Sequence, residues 1–169
     1  MAGALVKIGT QSFQSGDATL KITGINTDYN VYIVQARGLT PNGDDTIGWR
    51  VTKSGTIQTD STYENARKDM PMNANFQNNS AVSASGATNA EVESTGPGFF
   101  ATFTLFNFPV SEYSFGTYDH VTYASTPQGF GGAGGFVHKV ASASDGISFY
   151  FTGGATFTAG ELVLYGLKK

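Results

Sequence analysis

Thr46-Ile47-Gly48-Trp49-Arg50-Val51-Thr52 sets three large apolar side chains at every second position, with Gly48 and Arg50 between them. A period of two belongs to a half-buried strand, because successive side chains of extended backbone point to opposite faces. Working outward, Leu20 and Ile22 alternate with Thr19, Lys21 and Thr23 within Ala18–Ile25, and Ile147, Phe149 and Phe151 with Ser148, Tyr150 and Thr152. Leu162 and Leu164 interleave with Glu161, Val163 and Tyr165. Further strands are expected at Leu5–Thr10, Tyr29–Ala36, Ala90–Thr95, Phe99–Phe108, Tyr113–Ala124 and Phe136–Val140. Turn signals separate them: Gln14-Ser15-Gly16-Asp17, Pro41-Asn42-Gly43-Asp44, Ser144-Asp145-Gly146 and Thr152-Gly153-Gly154. The only stretch with any helical pattern is Ser61–Asp69, and its periodicity is poor. Short strands with frequent turns predict an all-β, antiparallel jelly-roll-like β-sandwich with little or no helix. A doubly wound α/β fold lacks its crossover helices.

Composition agrees. The 169 residues suit a single domain (1–169), and charged residues make up only 14% against roughly 25% in ordinary soluble domains. Glycine, at 22 residues, is in excess, as tight turns require. The net charge of −3, with no basic run beyond Lys168-Lys169, leaves no electrostatic footprint for nucleic acid or anionic lipid. The chain has no cysteine, which removes disulfides, thiol catalysis and Cys-based zinc sites together. No apolar run is long enough for a signal peptide or a membrane span, so synthesis as a soluble cytoplasmic product is expected. Asn73–Asn89 is rich in Asn, Ser and Ala and is expected to be a long exposed loop.

Each chemical motif has a plainer reading. Gln128-Gly-Phe-Gly-Gly-Ala-Gly-Gly-Phe136 lacks the Gly-Lys-Ser/Thr and the helix of a phosphate loop, so a flexible hairpin loop is expected. His120 and His138 lie in predicted strands without patterned metal-ligand partners. Asp119 points to the opposite face from His120. Asp17, Asp44 and Asp45 fit Asx turns better than an EF-hand. Glu91 and Glu93 alternate with Ala90 and Val92 and should face solvent. Gly-x-Ser-x-Gly is absent. No catalytic residue, cofactor or metal ligand is therefore nominated. Trp49 shares a face with Ile47 and Val51 and is expected to be buried. Tyr29, Tyr32, Tyr113, Tyr118 and Tyr123 could serve a protein interface or a sugar surface.

Phe99–Phe108 differs from the other strands. Phe99, Phe103 and Leu105 occupy one face, while Phe100, Phe106 and Phe108 occupy the other. Such a strand is either covered on both sides or faces another subunit. Leu162–Tyr165 is two-faced in the same way. The candidate subunit or partner interface is accordingly Phe100, Phe106, Phe108, Val163 and Tyr165.

The C-terminal run Gly146-Ile-Ser-Phe-Tyr-Phe-Thr-Gly-Gly-Ala-Thr-Phe-Thr-Ala-Gly-Glu-Leu-Val-Leu-Tyr-Gly-Leu-Lys168 resembles the ending of a family of virion proteins from tailed phages of aquatic bacteria, cyanophages included. The shared features are an Ile-x-Phe-x-Phe strand and a later Gly-x-x-x-Leu-Tyr-Gly-[Ile/Leu] signature. Leu5-Val-Lys-Ile-Gly-Thr-Gln-Ser-Phe13, Leu20-Lys-Ile-Thr-Gly24 and Asp28-Tyr-Asn-Val-Tyr32 are similar to the family's opening strands. The resemblance covers both ends and extends toward the Phe99–Tyr123 core, leaving the Asn-rich middle unmatched. It implies a jelly-roll-like sandwich, often a homotrimer, serving as a capsid decoration (cement) protein or a tail fibre module. It brings no catalytic residues. Decoration is the leading expectation, because strands begin close to Met1 and leave no tail-attachment segment. Its partners would be the chain itself, the major capsid protein and other virion proteins, and its location the virion. A receptor-binding module for host surface glycan is the alternative, and a sugar-active enzyme lacks a nominated acid/base pair.

Overall fold

Two antiparallel sheets pack face to face in a computed structural model that describes residues 4–72, 74–124 and 128–168. Thirteen strands run in chain order: β1 (Leu5–Ser12), β2 (Thr19–Thr23), β3 (Val31–Pro41), β4 (Asp45–Lys53), β5 (Thr56–Ile57), β6 (Tyr63–Pro71), β7 (Gln77–Ser83), β8 (Gly86–Val92), β9 (Phe99–Phe106), β10 (Ser114–Ala124), β11 (Gln128–His138), β12 (Gly146–Phe151) and β13 (Phe157–Leu167). The large sheet has the order β1-β13-β3-β9-β10-β11-β6-β7. The small sheet runs β2-β12-β4-β5, and β8 pairs with β4 along the same edge as β5. The arrangement is the jelly-roll-like β-sandwich expected from the alternation, and no helix occurs among the described residues.

The core lies between the sheets and is built from the alternate positions read in the sequence. Leu20, Ile22, Ile47, Trp49, Val51, Ile147, Phe149 and Phe151 come from the small sheet. Tyr32, Val34, Phe99, Phe103, Leu105, Leu162 and Leu164 meet them from the large one. Trp49 is fully buried and touches the rings of Tyr63, Phe103, Tyr118 and Phe136, with edge-on or tilted geometries that suit aromatic quadrupoles. Gly86 sits opposite Trp49 on β8, where an added Cβ would come within 1.8 Å of the indole. Only glycine lets β8 close over this ring.

Polar groups fasten the turns. Asp45 accepts hydrogen bonds from the backbone N–H groups of Gly153 and Ala155, and Asp145 accepts from Thr52 Oγ1 and the Gly55 N–H. Asp44 accepts from the Ser94 N–H and hydroxyl, which holds its carboxyl below the usual range, and Asp17 accepts from the Gln14 N–H. Asp44, Asp45 and Asp145 thus tie segments far apart in sequence rather than closing the local Asx turns expected of Asp44 and Asp45, and only Asp17 bonds within its own turn.

Several expectations need correction. The described part of 73–89 is no loop: it forms β7 and the start of β8, paired with β6 and β4. Gln128–Phe136 is no hairpin loop either. It lies within β11, hydrogen-bonded between β10 and β6 along its length. The part of Ser61–Asp69 from Tyr63 onward is strand β6. Each of these segments lacks the apolar alternation that marks a strand, because its positions are filled by glycine, small residues or polar groups.

Candidate interaction face

The outward face of the large sheet carries the features that chemistry or a partner could use. Cross-strand register aligns its side chains in rows. One row runs Val31, Phe106, Phe115, Val137, Glu64 and Val82 across β3, β9, β10, β11, β6 and β7. On the other side of Val31, the paired residues Leu5 and Leu167 continue it over β1 and β13. Leu5, Leu167, Phe106, Phe115 and Val82 are all exposed, so the row forms an apolar stripe across the sheet with Glu64 as its only charged member. The next row inward is Ile33, Thr104, Thr117, Gly135, Ala66 and Ser80, which is small and polar beyond Ile33. A contiguous stripe of this kind is unusual on a monomer surface, whereas scattered apolar residues are not.

The glycines of β11 shape this face. Gly131 and Gly135 point outward with Ala133 between them, leaving a trough between the side chains of β10 and β6. At one end it opens into a groove of about 630 Å³ lined by Glu64, Ala66, Val82, Phe115, Gly135 and Val137. A second groove, of about 490 Å³, lies beside Phe100, Val121 and Met70, with Gln35, Arg37 and Asp119 supplying polar groups.

Of the five residues expected at an interface, Phe100 and Phe106 are exposed on this face, at 43% and 37%. Tyr165 is half-buried on it, and its hydroxyl accepts a hydrogen bond from Arg37. Val163 and Phe108 are not available. Val163 stands on the outward side yet is buried, flanked by Glu161 and Tyr165 and paired with Gln35; Arg37 bridges all three through its guanidinium. Phe108 is a core residue. The strand ends at Phe106, and Asn107 takes a positive φ of 60°, which breaks the alternation and turns Phe108 inward. Phe115 and Val82 escaped the sequence reading; their cross-strand alignment with Phe106 depends on register, which a single sequence does not reveal.

Inside, the same sheet holds a polar cluster. Arg67 and Asp69 form an ion pair at 3.2 Å with both side chains buried, Arg67 donates also to Asn65, and Asn79 of β7 donates to Asp69. Breaking such a pair strands a charge in the interior. His120 lies near it, stacked on Phe99 and Phe130, and neither ring nitrogen has a hydrogen-bond partner among the described residues. Burial, then the Arg67 charge, pulls its pKa down to about 4, so it is a neutral imidazole. Burial pushes the Tyr118 hydroxyl up to about 12. His138 bonds Asp60 at 3.2 Å, and burial outweighs that partner to lower its pKa. Among the described residues no three His, Asp or Glu side chains converge to hold a metal. Glu91 and Glu93 are half-buried, opposite in parity to the core residues Ala90 and Val92. Of the tyrosines, Tyr32 and Tyr118 are buried, Tyr29 is partly buried, and Tyr113 and Tyr123 are exposed.

Comparison of the chain with family models, with curated proteins and with solved structures found no match.

Proposed function

We propose that the chain is a bacteriophage virion structural protein, a capsid decoration (cement) protein that grips the shell through the outward face of its large sheet. The observation that carries this reading is the apolar stripe from Leu5 to Val82, with Phe106 and Phe115 at its centre. The fold's own packing leaves these side chains in water. The small and hydroxyl-bearing row beside them lets a partner backbone approach closely. Phe106 and Phe115 expose 37% and 42% of their surface, and covering what each exposes contributes about 2 kcal/mol at ~25 cal/mol per Å². A modest contact of this size suffices when it is repeated over a symmetric lattice.

The test is binding of purified protein to particles that lack it. A Phe106→Ser/Phe115→Ser variant should fold normally and bind about a thousandfold more weakly per site. Bare particles should lose resistance to heat and osmotic shock, and wild-type protein should restore it. Unchanged binding by the variant, or no affinity of the wild type for shells, overturns the reading.

One observation favours a second reading, a glycan-binding appendage module. The groove beside Phe100 combines an apolar wall with Gln35, Arg37 and Asp119, groups that can hydrogen-bond sugar hydroxyls. Reproducible glycan-array binding that an Arg37→Ala variant loses would select it over cementing.

A further inference from the structure

The two edges of the large sheet are built differently. At one, β1 carries Lys7 in mid-strand and an irregular register between Lys7 and Gly9, and it packs against β2. Charge, bulge and cover are the devices that stop an edge from recruiting another strand. At the other edge β7 pairs with β6 alone among the described residues, over the seven residues Gln77-Asn-Asn-Ser-Ala-Val-Ser83. It has no charge, no proline and no bulge. It is also held rigid, because Asn79 donates to the buried Asp69 and every residue from Gln77 to Ser83 is in register with β6. The small sheet's margins differ again: β2 is short and carries Lys21, β5 has two residues, and β8 beside it carries Glu91 and pairs with β4 in an irregular register. On β7 and just before it sit two of the chain's most exposed large apolar side chains, Val82 at 68% and Phe76 at 64%.

We propose that β7 is a self-association edge, pairing antiparallel with β7 of a second copy about a twofold axis to give one continuous sheet. The partner must be an extended strand, since only that satisfies a row of alternating N–H and C=O groups. The occupant is a second copy because this strand is self-complementary. In full overlap Ser80 meets its own symmetry mate, and no like charges meet, as they would where an edge carries lysine. Phe76 of each copy then lies diagonal to Val82 of the other, within reach for an aromatic–aliphatic pair. One symmetric contact thus covers both exposed side chains twice. A twofold dimer is distinct from the trimer suggested by the sequence resemblance. It also stands independently of the shell-binding reading, because its test needs no particle.

The test is sedimentation of the full chain over a concentration series, with two variants. Wild type should form a dimer. Ser80→Lys, at an exposed position, should leave the unfolding midpoint unchanged at concentrations where both proteins are monomeric, and raise the dimer dissociation constant at least tenfold. Ser80→Cys introduces the only thiol, and facing Cβ atoms at a strand seam are close enough to bridge. Mild oxidation should therefore give a covalent dimer, while Thr10→Cys on the β1 edge should give little. A wild type that stays monomeric at the highest concentration overturns the proposal. So does an oligomer that survives Ser80→Lys, or Ser80→Cys cross-linking no better than Thr10→Cys.

Discussion

His120 shows what burial does to one titratable group. The imidazole is enclosed by aromatic rings, with Arg67 adding a like charge, and its pKa falls from 6.5 to about 4. The folded form therefore binds this proton more weakly than the unfolded chain does. Stability is at its full value above the unfolded pKa near 6.5, declines as pH drops toward 4, and levels off below that. The window corresponds to about 3 kcal/mol. The shift at His138 has the same sign and steepens the decline, with Asp60 opposing it. We predict that urea midpoints will fall between about pH 7 and about pH 4.5. A His120→Phe variant, which keeps the stacking and removes the proton site, should lose a large part of that dependence. Equal slopes for the two proteins would mean that His120 is not the group responsible.

Strand β11 states the element-scale lesson, because its glycines are not equivalent. Inward-facing Gly132 and Gly134 lie against the rings of His120 and Tyr118, where an added Cβ would come within 2.3 Å and 2.7 Å of their polar atoms. Outward-facing Gly131 has its nearest neighbour at 3.5 Å, an ordinary contact. Gly132→Ala should therefore cost about 1–3 kcal/mol through overpacking. Gly131→Ala should be neutral or slightly stabilising, since it removes unfolded-chain freedom at a tolerated position. Denaturant titration of the pair checks this alternation, and equal effects would contradict the assigned facing. The same strand explains what a reader of sequence can and cannot see. In β2, β4, β9, β10 and β12 large side chains mark every second position, and the strands were legible from Leu20, Trp49, Phe103, Tyr118 and Phe149. In β11 the period exists but is written in glycines, so no alternation is visible. In β6 the inward positions hold Asn65, Arg67 and Asp69, a buried ion-paired cluster that looks like a solvated face until β7 and Asn79 are placed beside it. The apolar stripe was half legible. Phe106 and Phe100 stood out as misplaced for a one-faced strand, whereas Phe108 required knowing that Asn107 reverses the backbone.

At the scale of the molecule, the unequal sheets decide where function can sit. The small sheet covers one face of the large one and makes the core, leaving the other face of eight strands in water. The proposed shell-binding stripe and the proposed β7 seam meet at Val82, which belongs to both.

The position of β13 between β1 and β3 has a further consequence, for the order of events during synthesis. β1, made early, is held in the sheet only through β13, whereas β3 also pairs with β9, so ribosome-bound chains lacking residues 157–167 have no partner to offer β1. In such nascent chains the β1 segment should remain protease-sensitive until β13 clears the exit tunnel, then become resistant in a single late step. Protection of the β1 segment before β13 emerges would show that the first strand docks without it.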